Sequence, residues 1–408
     1  MSQMISGGVC AALGFRAAGL HVGVKTHAAW KKDVALIVSD VPCTAAAMFT
    51  KNVVKAAPIH VTMDHLAKGK VRAIIANSGN ANACAPQGEE NAEKMCAAAA
   101  KAIGCAPEDV LVASTGVIGQ PLPMDKITDG VKALLPALTD TEEAAALAAE
   151  AIMTTDTRPK QFACEFELGG KTCHMGGMCK GSGMIHPNMG TMLCFITTDA
   201  AIDKALMQEA LAAVADDTFN MISVDGDTST NDSVLVMANG LCGNEKITAR
   251  NADYDAFYEA LYETLKYLSI RIAEDGEGAT KLIEVTVRGA ATRQDARVLA
   301  KSVITSSLTK AAIFGRDANW GRVLCAMGYS SAEFDPDHVD ISFASGGEAL
   351  QIVRGGLATD YSEEKATELL SAEKVAILID LSDGEFEATA WGCDLTHEYV
   401  SINADYRS

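Results

Sequence analysis

The residues best suited to chemistry in this chain run from position 176 to 199. They read Gly-Gly-Met-Cys-Lys-Gly-Ser-Gly-Met-Ile-His-Pro-Asn-Met-Gly-Thr-Met-Leu-Cys-Phe-Ile-Thr-Thr-Asp, a glycine-rich loop running into a strand. The glycines permit positive φ and close backbone approach, but Ser182 follows Gly181 where a phosphate-cradling Lys would be required. No G-x-S-x-G surrounds Ser182, so a nucleophile elbow is absent too. What remains is Gly190-Thr191 at the loop-to-strand junction. A threonine hydroxyl there can attack the preceding carbonyl, shift the acyl chain from N to O, and let water release a new N-terminal Thr. The liberated α-amine, with an unperturbed pKa of about 7.7–8.0, can then take the hydroxyl proton, so that one residue supplies nucleophile and base. By itself a Gly-Thr pair far more often marks an ordinary β-branched residue opening a buried strand.

The elements that would hold such a site are legible as short β-like runs at 71–77, 110–114, 192–197, 282–287 and 375–381, each ending in turn-type residues. Helical patterns cover 91–103, 142–153 entered through Thr139 and Asp140, 204–214 and 254–273. The class is mixed α and β. Strands and helices do not alternate strictly and no G-x-G-x-x-G opens a helix, which argues against a dinucleotide fold. There is no fixed-period repeat, and the alanine runs at 97–100 and 144–149 are strong helix formers.

At 408 residues the chain can bury a large core and has room for two to three folding units. Its net charge of −19, from 53 acidic against 34 basic residues, repels a phosphate backbone or an anionic membrane surface. Nucleic acid and membrane are therefore not expected partners. Small carboxylates stay open to a site where a few Lys or Arg converge. None of the 12 cysteines lies in a C-x-x-C pair, and Cys164, Cys173, Cys179 and Cys194 lack zinc-site spacing. Reduced core thiols and no metal are expected. The N-terminus Met-Ser-Gln-Met has no basic and apolar leader, and no stretch is long and apolar enough to span a bilayer, which points to the cytoplasm.

The run around Thr191 resembles the self-cleaving motif of the ornithine acetyltransferase (glutamate N-acetyltransferase) family, and the likeness extends along nearly the whole chain. Matching blocks are AAAMFTKNVVKAAP at 45–58, NSGNANACA at 77–85, ASTGVIG at 113–119, MTTDTRPK at 153–160 and SVDGDTSTNDS at 223–233. AEDGEGATK at 273–281, AIFGRDANWGR at 312–322 and NADYRS at 403–408 follow. Two places depart from the family pattern: Gly190 stands where Ala is usual, and Ser306-Ser307-Leu308-Thr309-Lys310 replaces a Pro-containing block.

The resemblance implies cleavage between Gly190 and Thr191 into an α chain of 1–190 and a β chain of 191–408. These would stay interlocked in one layered αββα-like catalytic unit and pair as an α2β2 assembly. It implies Thr191 as nucleophile and Thr115 with Gly116 as oxyanion hole, whose donors are worth roughly 3–4 kcal/mol each. Substrate contacts would be Thr154, Lys180, Thr191, Glu277, Asn403 and Ser408, although Thr155 and Thr157 lie close to Thr154. An N-acetylated diamino acid carries an α-carboxylate, an amide and a cationic amine, and Lys180 and Glu277 offer the complementary charges. The implied reaction needs no cofactor: acetyl passes from N-acetylornithine to Thr191 and on to glutamate in a ping-pong cycle of arginine biosynthesis. Some members also take acetyl from acetyl-CoA, a choice on which the residues are silent. A related self-cleaving aminopeptidase or amidase would share the activation but end in hydrolysis, and an uncleaved binding protein would do neither.

Overall fold

A strand buried on both faces reads as a continuous apolar run, because its alternate side chains enter two different cores. The computed structural model, which describes residues 2–26, 30–186 and 192–405, is built around such strands. In chain order they are β1 (Gln3–Met4), β2 (Phe15–Leu20), β3 (Val34–Phe49), β4 (Val71–Asn80), β5 (Val110–Val117), β6 (Lys160–Leu168), β7 (Lys171–Lys180), β8 (Leu193–Thr198), β9 (Ile222–Ser223) and β10 (Ser233–Ala238). They are followed by β11 (Leu282–Ala290), β12 (Asp340–Ser345), β13 (Glu348–Arg354), β14 (Leu357–Ala358), β15 (Lys374–Asp380) and β16 (Phe386–Cys393). One nine-stranded sheet runs β1-β6-β7-β8-β10-β3-β4-β5 with β2 against β3, and a second runs β14-β13-β12-β15-β11-β16-β9.

The first sheet folds on itself at β3. Pro42 lacks a backbone donor and breaks the ladder to β4, whose register slips between Val38 and Cys43. Before the break β3 pairs with β2 and β4, and after it with β10. The two halves then face each other across an apolar layer. Ile37, Ile74 and Leu111 enter it from one side and Met178, Phe195 and Leu235 from the other. The alternate residues Leu36, Ile75 and Val112 point outward to α2 (Gly88–Ile103) and α3 (Met124–Leu134). Cys194, Ile196 and Val236 point outward to α5 (Lys204–Asp217) and α6 (Ala252–Glu274). The order of layers is therefore α, β, β, α. The second sheet joins the core beneath α6, with Leu299 and Val303 of α7 (Arg293–Thr305) packed among Val285, Val287 and Ala390.

The mixed class and layered order match the sequence expectation, and the anticipated strands and helices all form with shifted ends. The strand foreseen at 110–114 continues to Val117, and that at 71–77 to Asn80. Entry into α4 (Glu142–Ala151) is capped by Thr141, whose hydroxyl accepts from the Ala144 amide at 3.2 Å, rather than by Thr139 or Asp140. Gly176 and Gly177 lie inside β7, not in a loop: a Cβ at Gly176 would run into the Gly8 carbonyl. Reduced thiols were expected throughout, yet Cys173 at the start of β7 and Cys242 after β10 form a disulfide with Cα atoms 5.5 Å apart. Spacing in sequence says nothing about two cysteines 69 positions apart that the start of β7 and the turn after β10 bring together across the end of β8. No helix among the described residues is long and apolar enough to cross a membrane.

Candidate active site

The glycine loop begins at Gly181, where β7 ends, and is tied down residue by residue. The Gly181 amide donates to Asp156 Oδ1 at 2.7 Å, and the Ser182 hydroxyl donates to the Asp275 carbonyl at 2.7 Å. The Met184 and Ile185 amides donate to the Asp225 carboxylate at 2.6 and 2.9 Å, holding Met184 in the left-handed region at φ 55°. The Val224 amide donates to the Ile185 carbonyl at 2.7 Å, and the Thr228 hydroxyl to that of His186 at 2.8 Å. Beyond position 191 the chain is gripped again, with the Ser233 amide donating to the Met192 carbonyl at 2.9 Å and Leu193 level with Ser233. The 223–233 segment thus holds the chain on both sides of the expected cleavage position. Gly190 and Thr191 themselves lie outside the described residues, as does Ser408.

Between these grips opens a cavity of about 320 Å³, the size of a small amino-acid derivative. Thr115, Gly116, Thr154, Lys180, Glu277 and Asn403 all line it, so six residues singled out from five distant segments share one wall. Thr155 lines it as well, whereas the Thr157 amide and hydroxyl are both taken up by Asp275. Thr115 and Gly116 sit near the end of β5, where the register to β4 slips at Asn80. Gly116 has φ +131°, and a Cβ on it would overlap the Gly79 and Asn80 backbone, so only glycine fits there. Glu277 is buried, accepts from Asn403 Nδ2 at 2.7 Å, and has room for its carboxylate because Gly183 carries no side chain.

Several residues that position this wall carry no signal of their own in the sequence. Asn231 donates from Nδ2 to the buried Ala81 carbonyl at 2.6 Å and the buried Ser114 carbonyl at 2.9 Å, pinning the ends of β4 and β5 to the entry of β10. Asp156 accepts from the Thr154 amide at 3.0 Å, the Gly181 amide at 2.7 Å and Lys160 Nζ at 2.7 Å, with Lys180 Nζ 4.0 Å away. Lys160 reaches Asp275 at 2.5 Å on its other side. Burial acts to raise the Asp156 carboxyl, but Lys180, Lys160 and the Gly181 amide outweigh it and hold it well below the usual carboxylate range. Burial likewise opposes the charge on Lys160, and the two aspartates overcome it and keep it above its ordinary value. The quoted runs 153–160, 223–233 and 273–281 contain all these residues, but no spacing rule distinguishes them within the runs.

The ArgJ family model matches residues 16–408 of the chain. The arginine biosynthesis bifunctional protein ArgJ of Symbiobacterium thermophilum is 55% identical over 407 residues, covering 100% of both chains. That of Geobacillus kaustophilus is 48% identical over 410 residues, covering 100% of this chain and 98% of its own. Among solved structures, the arginine biosynthesis bifunctional protein ArgJ of Bacillus halodurans superposes with a TM-score of 0.50 at 50% identity, over 52% of this chain and 98% of that one. With a family match over nearly its whole length and relatives this close from end to end, the chain belongs to the ArgJ family.

Proposed function

We propose that this chain activates itself by cleavage between Gly190 and Thr191 and that Thr191 then carries acetyl from N-acetylornithine to glutamate. The observation that carries the reading is the cavity at the foot of β8, where Thr115, Gly116, Lys180, Glu277 and Asn403 converge beside the strand that follows Thr191. The Thr191 hydroxyl attacks the acetyl carbonyl and gives its proton to the α-amine. The amide C–N bond breaks, ornithine leaves with that proton, and acetyl remains as an ester. Glutamate's amine then takes the acetyl, and the hydroxyl is restored. Donors at Thr115 and Gly116 face the oxyanion of both steps. Lys180 and Glu277 receive the substrate's carboxylate and side-chain ammonium. The bifunctional naming of the relatives supports acetyl-CoA as a second acetyl donor for glutamate.

Cleavage at this point leaves two fragments of one sheet. β8 and β10 of the 191–408 fragment lie between β7 and β3 of the 1–190 fragment, so backbone ladders on both sides hold the new N-terminus in place. The solved relative is consistent with such a division, its chain being matched over 52% of this one, while the stretch after position 190 is a little over half of the 408 residues. Two such units pairing as α2β2 complete the proposal. The test is intact mass of reduced wild type beside Thr191→Ala, followed by acetyl transfer to glutamate from each donor. Two fragments in wild type alone, with glutamate-dependent release of ornithine, support the reading. An uncut wild type without transfer overturns it, and glutamate-independent hydrolysis would make the protein an amidase.

A further inference from the structure

The C-terminal helix His397–Ala404 supplies Asn403 to the cavity wall, yet none of its residues is buried. The chain leading into it is firmly anchored. Asp394 and Thr396 are buried, the Asp394 carboxylate accepts from the Thr280 and Lys281 amides at 2.8 and 2.9 Å, and the Thr396 hydroxyl donates to the Gly278 carbonyl at 2.7 Å. A Cβ on Gly278, whose φ is +69°, would strike the Tyr399 amide, so the helix starts directly on that turn. Past Thr396 the hold is of another kind. The His397 ring meets Phe314 edge-on at 5.8 Å, the Tyr399 hydroxyl donates to Asp225 Oδ2 at 3.3 Å, and Asn403 Nδ2 donates to Glu277 at 2.7 Å. Eight residues do not stay helical alone in water, so these few contacts decide whether the helix lies on the cavity or leaves it. Tyr399 and Asn403 are four apart and share one helix face. Asn403 reaches the carboxylate beside Gly183, and Tyr399 reaches the carboxylate that already holds the Met184 and Ile185 amides of the glycine loop. Burial and the charges of Asp225 and Glu277 push the Tyr399 phenol well above its ordinary value, which keeps it a donor.

We propose that this helix is a lid, hinged at Thr396, that closes over the bound amino acid and is latched by Tyr399 to Asp225. The inference rests on the reading of the cavity as the acetylornithine and glutamate site. Because Asn403 bonds Glu277, an ammonium received by Glu277 enters and leaves past the helix. At 3.3 Å the Tyr399 contact is long and therefore weak, as suits a bond that parts and re-forms in each cycle. Closure serves the chemistry between the two half-reactions, when acetyl is held as an ester. Water attacking its carbonyl breaks the acyl C–O bond, returns a proton to the hydroxyl and releases acetate, whereas the same attack by glutamate's amine gives N-acetylglutamate. A closed cavity favours the second. Tyr399 touches neither substrate nor acetyl and is a positioning residue.

Tyr399→Phe removes the hydroxyl and keeps the ring. Hydrogen exchange of the helix amides is followed by mass spectrometry in full-length wild type and Y399F, each free and with saturating ornithine. Acetate and N-acetylglutamate are counted separately in reactions of acetylornithine with glutamate. Ornithine should slow exchange over 397–404 in wild type at least about fivefold, and Y399F should exchange there at least about fivefold faster than wild type while melting at the same temperature. Y399F should also release at least about fivefold more acetate per N-acetylglutamate, a ratio that a purely structural role would not move. Exchange over 397–404 within twofold between free and ornithine-bound wild type, or between wild type and Y399F, overturns the lid. An acetate ratio within twofold of wild type overturns its part in excluding water. A wild type that makes no N-acetylglutamate refutes the reading of the cavity instead, and the exchange of Y399F against wild type then decides the latch alone.

Discussion

Asn231→Ala tests whether the oxyanion wall is positioned from β10. Truncation removes both Nδ2 donors and leaves the buried Ala81 and Ser114 carbonyls unpaired. Each such loss costs about 1–3 kcal/mol, and the Thr230 hydroxyl, which donates to Asn231 Oδ1 at 2.6 Å, can turn to another acceptor, so the sum is about 2–6 kcal/mol. Urea unfolding measures this in the Thr191→Ala background, where one continuous chain unfolds and the midpoint should fall with an unchanged slope. The catalytic consequence is separate. The Ser114 carbonyl is one residue from Thr115, and releasing it lets the oxyanion donors drift. A displacement near 1 Å costs about 100-fold. Because the loss is in stabilising the transition state, kcat for acetyl transfer should fall while KM for acetylornithine stays within a few-fold. A stability change below about 0.5 kcal/mol, or a loss confined to KM, would refute this account of Asn231.

Lys160→Met strands the Asp156 and Asp275 carboxylates in the interior and should cost about 3–5 kcal/mol in the same urea assay. The folded pKa of Asp156 is depressed, so its contribution is complete above the ordinary carboxylate value of about 3.9 and is lost as pH falls towards the folded value. Wild type should therefore lose stability on acidification below about pH 4, and Lys160→Met should lose less over the same interval. Gly183→Ala places a Cβ against the Glu277 carboxylate and separates it from Asn403, which should raise KM for acetylornithine about tenfold with little change in melting temperature, whereas an unchanged KM would remove Glu277 from the ammonium site. The Cys173–Cys242 disulfide joins residues on opposite sides of position 190. A denaturing gel of cleaved protein without reductant should show one band near 42.8 kDa, resolving into two with reductant; two bands in both lanes would show the thiols to be free.

The mixed class was legible because strand residues such as Ile74 and Ile75 form unbroken apolar runs, as burial on both faces demands, whereas the layered order came only from the family resemblance. No strand over 34–49 was expected from the sequence, which therefore did not reveal that β3 serves both halves of the sheet; Pro42 interrupts that run and argues against one continuous strand. Lys180 and Glu277 were legible by charge in a motif. Asp156 and Lys160 are as close in sequence as a helical i, i+4 pair, yet Asp156 lies in a loop and Lys160 opens β6. Their third partner, Asp275, is 115 residues from Lys160. Periodicity reports one element's faces, and a buried ion cluster assembled from three elements has none.

That blind spot coincides with where the site's electrostatics are decided. A buried Lys180 would be expensive as a lone charge, and Asp156 supplies the counter-charge at 4.0 Å while Lys160 and two backbone amides keep Asp156 itself ionised. The same carboxylate therefore holds the Thr154 backbone, the first turn of the glycine loop and the side chain of Lys180. Replacing Asp156 should disturb all three at once. Replacing Lys160 removes the outer support and leaves Lys180 with its partner. The two substitutions then separate stability from substrate recognition: Lys160→Met falls chiefly on unfolding free energy, and Asp156→Asn on KM as well. If Asp156→Asn left KM for acetylornithine unchanged while destabilising the fold as much as Lys160→Met, the cluster would be a strut for β6 and β7 and not part of the substrate site.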